Sequence, residues 1–200
     1  TDGLATNLDA LDTGDDLACV LLQNPNFFGV LEDVPGTADR THACGGLVAV
    51  AVDPISLALV QPPGASGADI AVGEGQALGN TQSFGGAVVG FFAARKEFAR
   101  QMPGRLIGAT VDSDGHRGFE MTLQTREQHI RRQKATSNIC TNAGVLALAS
   151  TIYLSLLGRN GFREVAARCL ESAHRLAEII AGVDGFSLVS DQPFFREFTV

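Results

Sequence analysis

The densest cluster of groups that could do chemistry is the run TREQHIRRQKATSNICTN, from Thr125 to Asn142. Arg126, Arg131 and Arg132 offer guanidinium forks, which bind carboxylate or phosphate through paired hydrogen bonds. If the run opens as a helix, Arg126, His129 and Arg132 recur at three-residue spacing and share a face. Thr136, Ser137, Asn138 and Thr141 follow, with hydroxyl and amide groups that could join an anion site or cap the next helix. Two readings stay open: an interface or anion-binding segment, and a solvated basic helix with polar caps.

The remaining candidates are weaker. Amine chemistry rests on two lysines, Lys96 and Lys134. A coenzyme tethered as a Schiff base needs a rigidly held lysine, and neither lysine lies at a strand end. Gly73-Glu74-Gly75-Gln76-Ala77-Leu78-Gly79 is spaced one residue too long for a dinucleotide fingerprint. The residues after it, from Asn80 to Gly86, do not read as the helix N-terminus that would hold a pyrophosphate. His42 and Cys44 form the one close His/Cys pair, and His116, His129 and His174 stand apart, so no metal-ligand spacing is visible. Cys19, Cys44, Cys140 and Cys169 sit in or beside apolar stretches without a CxxC pair. They are expected to be buried free thiols, as suits a reducing cytoplasm.

The elements that must position these residues follow from hydrophobic pattern. Leu17–Leu22 and Leu47–Val52 are continuous apolar runs, the mark of strands covered on both faces. Asp69–Val72 and Ala87–Ala93 add shorter strands, and Asp39–Cys44 reads as a short helix. Asp53-Pro54 ends the second strand as a turn. Arg95–Met102 reads as a short helix, Val111–Gly118 as a polar turn and Gly118–Thr125 as extended. From Asn142 to Leu157 a helix is apolar nearly all round and is expected to be deeply buried. A second helix, Gly161–Ala181, carries an apolar stripe and the i,i+4 pairs Glu164–Arg168 and Glu171–Arg175. Asn160 is its expected N-cap and Gly182 its expected stop. Phe186–Val189 and Phe198–Val200 read as strands. Alternating strands and helices point to an α/β layered fold.

Composition bounds what the 200 residues can be. With 45% hydrophobic and 18% charged residues the chain is globular, and its net charge of -7 disfavours a nucleic-acid binder. No stretch of about 18 apolar residues is uninterrupted, so no membrane span is expected. No export signal is visible, and both ends read as cuts through a larger protein. Charge is segregated: eight acids and no base precede Arg40, whereas nine bases and five acids lie between Arg95 and Lys134.

The run Thr125–Asn142, together with GEGQALGNTQSFGG (Gly73–Gly86) and RQMPGRLIGATVDSDG (Arg100–Gly115), closely resembles the P-protein family of the glycine cleavage system, in particular the first of its two paralogous subunits. QNPNFFGVLED (Gln23–Asp33) and VDPISLALVQPPG (Val52–Gly64) extend the likeness over essentially the whole chain. The resemblance implies a fold-type I PLP-dependent transferase architecture. Residues 1–140 would be the later part of the large α/β domain, 141–182 connecting helices and 183–200 the start of a small C-terminal domain. It implies an oxidoreductase subunit in glycine catabolism, acting in decarboxylation of glycine on pyridoxal phosphate (PLP) and transfer of the aminomethyl group to the lipoyl arm of the H-protein. The implied partners are the catalytic P-protein subunit 2 and the lipoylated H-protein, in a cytoplasmic hetero-oligomer without nucleic acid or membrane.

The resemblance also implies that this chain holds no PLP. The sister subunit carries an adjacent His-Lys pair after a strand, and laying Asp69-Ile70-Ala71-Val72 on that strand places Gln76 at the His and Ala77 at the Lys. Asp53 falls where such folds keep the carboxylate for the pyridine nitrogen. The expectation is therefore a subunit without catalytic residues of its own and inactive as an isolated piece. Arg126, His129, Arg131, Arg132, Thr136, Ser137, Asn138 and Thr141 would face the shared channel or the subunit interface. Two alternatives remain: a structural paralogue that only stabilises its sister, and an independent PLP enzyme using Lys134.

Overall fold

The β-branched residues of LVAVAV favour an extended strand, and alternation decides what it buries. In the computed structural model, which describes residues 3–12, 14, 16–85, 88–102, 104–123, 128–135 and 143–200, this run is β2 (Leu47–Val52). Val48, Val50 and Val52 are buried on one face, whereas Leu47, Ala49 and Ala51 are half-buried on the other. β1 (Cys19–Asn24) and β3 (Ile70–Glu74) flank β2 in parallel, with Cys19 opposite Leu47 and Ala49 opposite Ile70. β4 (Gly90–Ala94) completes the order β1-β2-β3-β4.

Parallel neighbours need a crossover, and α1 (Val34–Ala43) supplies the first one. Asp33 caps it by accepting the Gly36 N–H at 2.9 Å, with a proline in the first turn. Its Val34 and Ala38 pack with Leu22, Val48, Val50, Val52 and Ala68 into one apolar cluster. Asp69, buried just before β3, accepts the Val48 N–H at 2.8 Å and meets His42 Nε2 at 2.8 Å. The histidine of the close His/Cys pair thus ties α1 to the sheet.

The long helix α3 (Gly144–Ala181) breaks at Gly158, whose φ of 58° and ψ of -174° are not helical. Beyond the break it buries Ala166, Ala173 and Ala177. Ala166 packs with Ile55 and Phe195, joined by Phe162, Val165, Cys169 and Leu170. Taken whole, α3 has the length and apolarity of a membrane span. Its straight part before the break, 144–157, rises only about 21 Å at 1.5 Å per residue, short of the ~30 Å hydrocarbon core. The part beyond carries Arg159, Arg163, Glu164 and Arg168.

Residues Ala94–Asn142 form a second compact unit. Within it β5 (Leu106–Val111) and β6 (Arg117–Thr122) pair antiparallel across the expected polar turn. α2 (Gln128–Arg131) and a single 3-10 turn, Arg132–Lys134, follow.

Several expectations need correction. The 144–157 helix is not deeply buried: Val145 is 82% and Leu156 81% exposed, and Ser150 is its one buried residue. Apolar composition reports what a helix can bury, not whether cover lies over it. β1 runs two residues further than expected at its C-terminal end and lies at a sheet edge, where Leu21 is exposed. Only one face of β2 is sealed. α1 starts at Val34 rather than Asp39, because Asp33 and Pro35 initiate it. Arg95–Met102 yields only the 3-10 turn Lys96–Phe98. Asn160 lies inside α3, since Gly158 makes the break. Residues 186–189 and 198–200 form no strand; they share one bond, Val189 N–H to Thr199 O at 3.0 Å. Cys19 is exposed, and Cys44 and Cys169 are half-buried, all three as free thiols. Cys140 lies outside the described residues.

Candidate functional site

Open parallel sheets gather ligands at the carboxyl ends of their strands, where loops diverge and leave a crevice. Here the ends of β1, β2 and β3 surround a cavity of about 320 Å³. Gln23 and Pro25 come from β1 and its loop, Ala51–Pro54 from the end of β2, and Gly73, Glu74, Gln76 and Ala77 from β3 and the turn after it. Arg196 and Glu197 close it from the C-terminal segment.

That segment is held by main-chain bonds along the loop after β1. Leu31 N–H donates to Pro193 O at 2.8 Å, Phe195 N–H to Gly29 O at 3.3 Å, and Val30 bridges Phe194. Gly29, at φ 86°, passes so close to the Glu197 backbone that a Cβ there would overlap its carbonyl. Phe195 is anchored in the Ile55–Ala166 cluster. Its neighbour Arg196 is thereby brought against Asp53, with Nε 2.9 Å from Oδ2. The other carboxylate oxygen of Asp53 accepts the Ile55 N–H at 2.9 Å, the turn bond expected of Asp-Pro. Both oxygens of Asp53 are therefore engaged within the chain.

The turn after β3 is a docking element. Gln76 N–H donates to Glu74 Oε1 at 2.8 Å. Ala77 and Leu78 pack against the Ile55–Phe195 cluster. Gly79 lies against Tyr153, and Asn80 Nδ2 donates to Ser150 Oγ at 2.8 Å, fastening the turn to α3. Among the described residues between Asn80 and β4, no helix begins. Across the lining side chains, three carboxylates (Asp53, Glu74, Glu197) face one guanidinium (Arg196).

Of the sequence-predicted site residues, Gln76 and Ala77 line this cavity. His129 and Arg131 lie on α2 and Arg132 in the following turn, all exposed. Arg132 has φ 53°, which ends α2, so His129 and Arg132 do not share one helical face. Arg126, Thr136, Ser137, Asn138 and Thr141 lie outside the described residues. Arg196 is the charged cavity residue that sequence reading missed. A lone arginine between Phe195 and Glu197 carries no local mark of its partner 143 positions away. The polar turn between β5 and β6 also brings Asp112, Asp114 and His116 within 4.8 Å of one another. Asp112 Oδ1 accepts the Asp114 and His116 N–H groups, each at 2.9 Å, which is the chemistry of the turn itself.

The architecture is that of the fold-type I PLP-dependent enzymes. The chain superposes on a Burkholderia pseudomallei sphingosine-1-phosphate lyase (TM-score 0.58, 16% identity, 94% of this chain and 40% of that one). An aspartate aminotransferase from Thermus thermophilus gives a TM-score of 0.56 at 19% identity, over 90% and 47% of the two chains. Likeness at that identity speaks to fold alone. Residues 4–199 match the family described as Glycine cleavage system P-protein, and the chain belongs to that family. It is 58% identical over 186 residues to the Thermomicrobium roseum protein named "Probable glycine dehydrogenase (decarboxylating) subunit 1", covering 93% of this chain and 42% of the relative. The namesake of Prosthecochloris aestuarii is 52% identical over 202 residues, at 100% and 45% coverage. A crystal structure of glycine decarboxylase (P-protein), in inhibitor-bound form, gives a TM-score of 0.87 at 50% identity, over 92% of this chain and 42% of that one. The chain thus spans less than half the length of the curated relatives it matches.

PLP is the coenzyme this fold class implies, and the cavity does not fit it. The turn offers the methyl group of Ala77 and no amine. Asp53, the carboxylate at the end of β2, is bound by Arg196. The excess of carboxylate over guanidinium would repel a phosphate.

Proposed function

We propose that this chain belongs to the non-catalytic member of two paralogous P-protein subunits and supports glycine decarboxylation and aminomethyl transfer to the lipoyl group of the H-protein by PLP held in the sister subunit. The observation that carries the reading is the lining of the strand-end cavity. With Ala77 at the turn this chain supplies no tether for the coenzyme, and Asp53 is already paired with Arg196. Its role is to bind and orient, in a cytoplasmic hetero-oligomer with subunit 2. His129, Arg131 and Arg132, with Arg126, Thr136, Ser137, Asn138 and Thr141, are proposed to face the shared channel or the subunit interface. The domain division 1–140, 141–182 and 183–200 belongs to the same reading.

The test is borohydride reduction of the full-length pair in the presence of PLP, followed by peptide mapping. The expected pyridoxyl adduct lies on subunit 2 alone, and subunit 1 by itself gives none. An adduct at Lys134, or anywhere on this chain without its sister, overturns the reading. In the same pair, replacing Arg131 and Arg132 by Ala lowers turnover or association. If neither changes, the assigned role of those arginines is wrong.

A further inference from the structure

The β5–β6 ribbon exposes an apolar face. Directly opposed residues of an antiparallel pair share a face, and the register sets Ile107 against Met121, Ala109 against Phe119 and Val111 against Arg117. One face is therefore Ile107, Ala109, Val111, Phe119 and Met121 with a single guanidinium, and all of it is exposed, Ile107 by 60% and Val111 and Phe119 each by 65%. On the opposite face Leu106, Gly108, Gly118 and Thr122 are half-buried, whereas Thr110 and Glu120 are exposed. There Thr122 Oγ1 closes onto Leu106 O at 3.1 Å, and a Cβ on Gly108 would strike the Thr122 methyl at 2.8 Å. A half-solvated ribbon normally keeps its apolar face out of water. A two-stranded ribbon is also marginal in water without something packed on its apolar side.

From this exposed apolar face, and resting on the proposed two-subunit reading, we infer that the ribbon is a docking surface for the partner subunit. The occupant's chemistry is an apolar strip edged by carboxylates. Three observations select it. Phe, Met and Arg are the residue types enriched at the centre of protein interfaces. The unit that carries the ribbon, Ala94–Asn142, holds nine bases against five acids in a chain whose net charge is -7. Arg117 stacks over the Phe119 ring at 5.1 Å, which presents its fork beside the apolar strip, where it suits a carboxylate. The relatives at 52–58% identity are named as one numbered subunit of glycine dehydrogenase, which supplies a partner to dock.

The experiment uses full-length subunit 1 and its natural subunit 2, with Phe119→Asp and, separately, Arg117→Glu in subunit 1. Association is measured by sedimentation, and melting of lone subunit 1 by circular dichroism. Phe119→Asp is expected to weaken association by roughly tenfold or more, and Arg117→Glu by less, its effect shrinking as salt rises. Melting of the lone subunit should stay unchanged. Should Phe119→Asp misfold, Arg117→Glu alone decides through its salt dependence. Unchanged association for both variants overturns the inference while leaving the two-subunit reading intact, provided the wild-type pair assembles. A lower melting temperature with unchanged association would mean that subunit 1's own chain covers the ribbon. Loss of self-association by the lone subunit would assign the face to a second copy. Either result also overturns it. Failure of the wild-type subunits to associate at all would instead sink the underlying reading.

Discussion

At the scale of single residues, Asp53 and Arg196 decide how the cavity can be used. A half-exposed ion pair contributes little by itself, but leaving a mostly buried carboxylate without its partner is costly. In full-length subunit 1, Arg196→Met is therefore expected to lower unfolding free energy by about 1–2 kcal/mol in urea titration. Asp53→Asn should cost less, because its side-chain oxygen still accepts the Ile55 N–H. The double variant should cost less than the sum of the two, the mark of direct coupling; strict additivity would show that the 2.9 Å contact is not formed in solution. This contact also marks where sequence reading stops. The turn chemistry of Asp53 was legible, since Asp-Pro after an apolar run is a local signal. Its guanidinium partner was not, because the pairing depends on the last residues of the chain lying along the loop after β1.

Elements were legible where the signal was local and periodic. LVAVAV became β2 with the expected ends, the polar VDSDGHRG run became a hairpin turn, and the second helix ends at Ala181 as expected, although Leu176 of its apolar stripe is exposed. Burial was read less well, because hydrophobicity is a property of the residue whereas cover is a property of its neighbours. The break in α3 shows a further limit: Gly158 could be read as a weak helix former, but not as a residue with φ 58° and ψ -174°. That region is essentially glycine-only. Gly158→Ala is therefore expected to cost about 1–3 kcal/mol, even though nothing lies within 4 Å of where the new methyl would sit. The check is thermal melting of the full-length subunit, with Ser155→Ala as a surface control on the same helix. If Gly158→Ala melts at or above the wild type, the helix tolerates a continuous path and the break is not enforced by packing.

For the whole molecule, charge segregation sets solution behaviour as much as net charge does. The segment Ala94–Asn142 carries nine bases and five acids, leaving the rest of the chain strongly acidic at a net charge of -7. At the sequence pI of about 5.0 the overall charge vanishes. The two signs still lie on different parts of the chain, so molecules attract through opposite patches rather than merely failing to repel. The 200-residue chain is expected to show its solubility minimum near pH 5 and to become more soluble there when salt is raised from about 0.02 M to 0.3 M, as the Debye length falls from roughly 20 Å to under 10 Å. Apolar association predicts the reverse, because excluded salts strengthen burial. Light scattering at pH 5 across that range separates the two. If added sodium chloride deepens the precipitation, the exposed faces of α3 and of the β5–β6 ribbon dominate the contacts between molecules, and charge segregation is the lesser force.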